Sequence, residues 1–141
     1  MNGVLLDTHV FLFLVDDVER VPLSVRKAID DAEQRFLSVA SMWEMAIKIS
    51  IGKLRLPEAI ERYIPSRTSQ ALIRPLPILA GHVMRVASLP PLHRDPFDRL
   101  LVSQALEEGL TLLTMDRQVA QYDVPSLGVP RTKGRRKRRT R

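Results

Sequence analysis

Short apolar runs alternate along the chain with longer stretches in which apolar residues recur every three or four positions. Val4-Leu5-Leu6, unbroken and ending on Asp7, predicts a fully buried strand, and Val10 to Val15 a short buried helix. Pro22 at a first helical turn opens a second helix, with Val25, Ala28, Ile29 and Ala32 at helical spacing. Phe36 to Val39 reads as a strand, and Ser41 as the start of a helix to about Ile51 that Gly52 stops. Pro57 starts a helix to about Ser66. Leu72 to Leu76 reads as a short edge strand, since Pro75 and Pro77 cannot donate to a sheet on both sides. Leu79 to Leu89 is predicted helical, Pro90-Pro91 breaks the chain, and a helix from Pro96 to Glu108 is closed by Gly109. Leu110 to Thr114 is a strand rich in β-formers, and Asp116 to Tyr122 a short helix.

Strands alternate with helices and no strand pair carries a two-residue hairpin signal. That pattern predicts an α/β fold, with a central parallel sheet of four to five strands flanked by helices on both faces. No internal repeat is visible. At 141 residues the chain has room for one domain, placed at residues 1–130. Residues 131–141 carry eight Lys or Arg and no acid, so the net charge of +6 belongs to this segment. Without those eight, 14 of the 22 basic residues face 16 acids, a net of −2 for the body. The segment offers nothing apolar to bury and is expected to be a disordered basic tail, either solubilising or attracting phosphate. The chain has no cysteine, which excludes disulfides, zinc–thiolate sites and thiol catalysis. The longest apolar run, Val10 to Val15, is far short of the roughly 18–20 residues that span a bilayer, and the N-terminus has no signal-peptide pattern. A cytoplasmic protein with no membrane contact is expected.

Parallel sheets carry function at the carboxyl ends of their strands, where the strand order reverses. Asp7 follows the first strand directly and Asp116 follows the strand Leu110 to Thr114 by two residues. Glu44 lies in the first turn of the helix opened by Ser41, and Asp98 in the first turn of the helix opened by Pro96. Each acid has a plain structural explanation. Ser41 to Glu44 reads as a capping box, Asp95 as an N-cap before Pro96, and Asp7 and Asp116 as caps of the helices after them. Glu44 and Lys48 also read as a surface pair. Capping alone leaves two facts unexplained. Asp98 precedes Leu101, Val102, Ala105 and Leu106 at offsets that continue an inward stripe, and Glu44 precedes Ile47 and Ile51 likewise. Inward acids must be paired, protonated or metal-bound, and a hard cation with oxygen ligands, Mg²⁺ or Mn²⁺, suits four carboxylates.

These same segments carry a resemblance. Val-Leu-Leu-Asp7-Thr8-His9, Ser-Met-Trp-Glu44-Met-Ala-Ile-Lys48, His93-Arg94-Asp95-Pro96-Phe97-Asp98-Arg99 and Leu-Leu-Thr114-Met-Asp116 resemble, in order, the four acidic segments of PIN domains. Within that family the pattern is most similar to VapC-type toxin ribonucleases of toxin–antitoxin pairs. The resemblance covers about residues 3–125 and not the tail. It implies a Mg²⁺-dependent endoribonuclease, with Mn²⁺ a substitute, cleaving RNA such as tRNA or rRNA. It further implies a cognate VapB-like antitoxin and a homodimer, through helices near Val10 to Ile29 or Pro57 to Ser66. By this match Asp7, Glu44, Asp98 and Asp116 are the catalytic and metal-binding acids. Thr8, Thr114, Lys48 and Asp95 are supporting candidates, and Arg99 and Arg117 candidates for RNA-phosphate contacts. His9, His82 and His93 are given structural or surface roles, with His9, beside Asp7, the first exception. Trp43 and Met42, Met45 and Met84 are expected in the core. Two rivals differ in class: a receiver-like domain, which needs a pair of adjacent acids that the first strand lacks, and a catalytically inactive PIN-fold module that binds nucleic acid or scaffolds.

Overall fold

A computed structural model describes residues 3–122 and 126–127. Five parallel strands, β1 (Gly3–Leu6), β2 (Gln34–Ser38), β3 (Arg74–Leu76), β4 (Thr111–Leu113) and β5 (Ser126–Leu127), form one sheet in the order β3-β2-β1-β4-β5. The chain lays down β1, β2 and β3 in one direction. It then returns past β1 to add β4 and β5 on the other side, so the strand order reverses between β1 and β4. β1 is therefore central and buried on both faces, which is why it has no polar residue before Asp7. The predicted tail lies outside the described residues, and no described helix is long and apolar enough to cross a membrane.

Six α-helices cover the sheet: α1 (Thr8–Asp16), α2 (Leu23–Asp31), α3 (Val39–Ser50), α4 (Ile60–Gln70), α5 (Ala80–Arg85) and α6 (Pro96–Glu108). One core packs α1, α2 and α4 around Val10, Phe11, Val25, Ile29 and Tyr63; the other, on the opposite face, packs α6 through Leu101, Val102 and Ala105. α6 has the expected bounds. Asp95 accepts N–H bonds from Phe97 and Asp98, Pro96 opens the first turn, and Gly109 closes the helix at φ +66°.

Several elements depart from the sequence expectations. The helix expected over Leu79 to Leu89 is α-helical only over Ala80–Arg85 and goes on as a 3-10 turn at Val86–Ser88. α3 begins at Val39, with Ser38 and not Ser41 as its cap; the Ser38 hydroxyl accepts the Ala40 N–H at 3.0 Å. Ser41 is buried inside the helix, so the predicted capping box with Glu44 does not form. Pro57 precedes an irregular stretch and α4 begins only at Ile60, running through Pro65 to Gln70. The helix expected over Asp116 to Tyr122 reduces to a single 3-10 turn at Val119–Gln121. Trp43 also leaves the core: Val39, Trp43 and Ile47 on α3, with Ile51 at its C-cap, are exposed, whereas Ala40 and Glu44 are buried. Met45 is fully buried, whereas Met84 is exposed.

Candidate functional site

The reversal between β1 and β4 opens a crevice at their carboxyl ends, and chain order decides which side chains enter it. Asp7 directly follows β1, and its backbone N–H extends the ladder to the Leu113 carbonyl at 3.0 Å. Its carboxylate caps α1, accepting the Val10 N–H at 2.9 Å, and is also hydrogen-bonded by the Thr114 hydroxyl. Thr114 in turn accepts the Asp116 N–H at 3.0 Å. One buried threonine thus ties the first acid to the fourth. Asp116 accepts the Gln118 N–H at 2.8 Å, and Asp7 and Asp116 line a common cavity of about 320 Å³. Asp98 reaches the same edge from the first turn of α6, because a helix that precedes a parallel strand starts at that strand's carboxyl end.

His93 completes the group. Its Nε2 lies 3.1 Å from Asp98 Oδ2 and 3.1 Å from Asp116 Oδ2. Among the described residues, His93, Asp98 and Asp116 bring ligand atoms within 4.8 Å of one another. Asp7 stands beside them, close enough for its charge to act on Asp98. Glu44 is buried on α3 and is tied to Thr8, the residue after Asp7. Its Oε1 accepts the Thr8 hydroxyl at 2.7 Å and its Oε2 pairs with Lys48 Nζ at 3.1 Å. Glu44 and Lys48 are therefore a half-buried pair and not the surface pair of the sequence reading.

Of the supporting candidates, Thr8 serves Glu44, Thr114 bridges Asp7 and Asp116, and Asp95 caps the helix that carries Asp98. Arg99 is differently employed. Its guanidinium donates to the carbonyls of Pro90, Val86 and Leu89 and to the Tyr122 hydroxyl, which anchors the segment leading to His93. Arg117 is exposed. His9 is exposed beside the cavity, and His82 is buried between Leu79 and Glu108. The sequence reading thus missed His93. Its signal was positional: a histidine two residues before the N-cap of a proline-started helix is held over the turn that carries Asp98.

The electrostatics of the crevice are those of carboxylates short of positive charge. Burial raises the Asp7 carboxyl above its ordinary value, against hydrogen bonds from Thr114 and Val10. Burial also raises Asp98, to about 7, reinforced by the charges of Asp95, Asp116 and Asp7 and opposed by His93. Among the described residues no Lys or Arg pairs with Asp7, Asp98 or Asp116. Carboxylates gathered at a strand edge with no Lys or Arg partner among the described residues match the donor set of a hard divalent cation, and they fit it.

A stability prediction follows for the protein kept in EDTA. A carboxyl raised by folding binds more protons in the native than in the unfolded state between its two pKa values. Stability then falls as pH rises from about 4 to about 7. With partial exposure screening the charge, we expect a loss on the order of 1–3 kcal/mol over that range. Thermal unfolding at pH 5 and pH 8 measures it, and Asp98→Asn should flatten the dependence; equal slopes in both proteins would contradict the assignment.

Comparison with known proteins decides the fold family. The PIN domain family model matches residues 4–125. The chain belongs to the PIN domain family. Ribonuclease VapC22 of Mycobacterium tuberculosis is 25% identical over 126 residues, covering 89% of this chain and 95% of that protein. The toxin–antitoxin complex VapBC2 of Rickettsia felis, solved bound to a fragment of promoter DNA, superposes with a TM-score of 0.66 at 14% identity, covering 89% of this chain and 97% of that one. FitAcB of Neisseria gonorrhoeae superposes at 0.58 with 20% identity, covering 89% and 96%. These likenesses at low identity establish the fold. Within this PIN domain the crevice at the β1–β4 reversal is lined by Asp7 and Asp116, with Asp98 beside them.

Proposed function

We propose that this PIN domain is a metal-dependent endoribonuclease, the toxin of a VapBC-like toxin–antitoxin pair. The observation that carries the reading is the meeting of Asp7, Asp98 and Asp116, from three segments, in one crevice with no Lys or Arg paired to them among the described residues. The similarity to a protein named as a ribonuclease supports it. Asp7, Asp98 and Asp116 would hold Mg²⁺, for which Mn²⁺ could substitute, with Glu44 beside them acting directly or through water. Bound there, such an ion offsets charge on the scissile phosphate and makes an attacking water more acidic.

The chain's own residues do the rest. Thr114 and the α1 cap fix the Asp7 carboxylate, the Asp95 cap fixes the turn that presents Asp98, and Thr8 and Lys48 fix Glu44. Glu44, oriented by these two partners, can accept a proton from water. Phosphate contacts fall to exposed cations around the crevice. Arg117 is one, and Lys48, Lys53 and Arg55 line a second cavity of about 380 Å³ that shares His9 and Phe13 with the first. Arg99 is committed to backbone carbonyls and supports the site from behind. These contacts read the backbone and the shape of an RNA more than its bases. The target, tRNA or rRNA, is a matter for direct assay.

Purified protein incubated with total RNA should give discrete fragments with Mg²⁺ and none in EDTA. RNA binding that survives EDTA, with no cleavage under any condition, would instead identify the inactive binding module.

Two partners are part of the proposal. A VapB-like antitoxin would meet the acidic crevice with Arg or Lys side chains. A second copy of the chain would cover the exposed α3 stripe, since Val39, Trp43, Ile47 and Ile51 present a continuous apolar face that single exposed residues do not. Light scattering should then give the mass of a dimer, and Ile47→Glu should shift it to that of a monomer. An unchanged dimer would move the interface to another face.

A further inference from the structure

We propose that His93 is a positioning residue, whose Nε2–H is hydrogen-bonded to Asp116 while the ring stands against Asp98, and which so sets the separation at which the two acids receive a cation, without itself being a ligand. The inference rests on the metal-site reading above. The ring is fixed from three sides. The His93 N–H donates to the Tyr122 hydroxyl at 3.0 Å, and that buried hydroxyl also accepts from Arg99 at 3.1 Å. Arg99 holds the Pro90 carbonyl as well, so the Pro90–His93 segment is clamped at both ends. The Asp95 N–H donates to His93 Nδ1 at 3.1 Å. Asp95 is the N-cap of α6, so the direction of its N–H is set by the helix.

That last bond decides the chemistry of the ring. A nitrogen that accepts an N–H has no proton of its own, so the proton of the neutral ring is on Nε2. Nε2 is hydrogen-bonded to Asp116 Oδ2 at 3.1 Å and lies 3.1 Å from Asp98 Oδ2. Ligation through Nε2 would require moving the proton to Nδ1, where it would meet the Asp95 N–H head on. The side chain is only 12% exposed, so little water reaches the ring. A fixed ring bonded to one carboxylate and set 3.1 Å from the other restrains two like charges that would otherwise move apart. Outer donors of this kind typically support metal affinity by about 10–100-fold.

Mn²⁺ is the probe, titrated into the full-length protein and followed by electron paramagnetic resonance, with thermal unfolding in EDTA recording that each variant is folded. His93→Ala should weaken Mn²⁺ binding at least ~10-fold. His93→Gln, whose amide can place a donor near the Nε2 position, should recover most of that loss. Pulsed measurements on the loaded wild type should show no nitrogen coupling from a directly bound imidazole. Unchanged affinity in His93→Ala, equal loss in both variants, or a directly coupled imidazole nitrogen would each overturn the proposal while leaving the metal site standing. A wild type that binds no Mn²⁺ would overturn the metal site and this inference together. Should His93→Ala fail to fold, the pulsed spectrum and the glutamine variant still decide.

Discussion

Asp7→Asn and Asp98→Asn should each lower Mg²⁺-dependent RNA cleavage by at least ~1,000-fold, because a lost Lewis acid removes several kcal/mol of transition-state stabilisation and each 1.36 kcal/mol is tenfold. The fold should survive both changes. Asparagine caps a helix as well as aspartate, so α1 keeps its bond to the Val10 N–H. Asp98 caps nothing; Asp95 does that work for α6. Burial already disfavours the charge on both side chains, so a neutral amide should hold or raise the melting temperature in EDTA. The paired measurement is therefore fragment yield from total RNA beside thermal unfolding. Activity lost with the fold intact supports the metal site. Full activity in either variant would mean that cleavage occurs elsewhere or comes from a contaminant.

The second large effect lies away from the crevice. Gln104, on the inner face of α6 and fully buried, holds three parts of the molecule together. Its Oε1 accepts from the Ser38 hydroxyl, the residue that caps α3, and its Nε2 donates to the Pro77 carbonyl just beyond β3 at 3.2 Å. Gln104→Leu fills the same volume but leaves a buried hydroxyl without an acceptor and a carbonyl without its donor. Pro77 is exposed and water can serve its carbonyl, so at roughly 1–3 kcal/mol for the one buried unsatisfied hydroxyl we expect a loss of about 1–3 kcal/mol. For a domain of this size that is a melting point lower by ~4–10 °C. Combining Gln104→Leu with Ser38→Ala should cost less than the two separate losses, since the second change removes the hydroxyl that the first stranded. Strict additivity would show that the two side chains do not depend on each other. The effect reaches the site as well, because the cap of α3 sets where Glu44 enters the crevice.

How far the sequence could be read varies with how local the cause is. The ends of α6 were legible because Asp95, Pro96 and Gly109 act within one turn of themselves. β1 was legible because a strand buried on both faces needs an unbroken apolar run. The inward direction of Asp98 followed from its spacing to Leu101, Val102 and Ala105, all of which are buried. The start of α3 was misread because Ser38 and Ser41 are both competent caps at the head of one apolar pattern. What separates them is Gln104, 66 residues away from Ser38, which takes the Ser38 hydroxyl. The helix after Asp116 was overread for a similar reason. The acid does cap a turn, accepting from Gln118, but only one 3-10 turn follows.

Local rules of hydrogen bonding and periodicity therefore determined most of the elements and the α/β class, and the chain displays each of the four candidate acids with its own short context. Which of them meet was decided by strand order. Bringing β4 back beside β1 sets Asp116 against Asp7, turns the head of α6 onto the same edge, and puts His93 between two carboxylates. No local pattern carries that arrangement, because it depends on contacts between residues about a hundred positions apart in the chain. The tertiary structure also parted Glu44 from the tight group and gave it Lys48, since both lie on one face of a helix whose register Ser38 and Gln104 fix from outside.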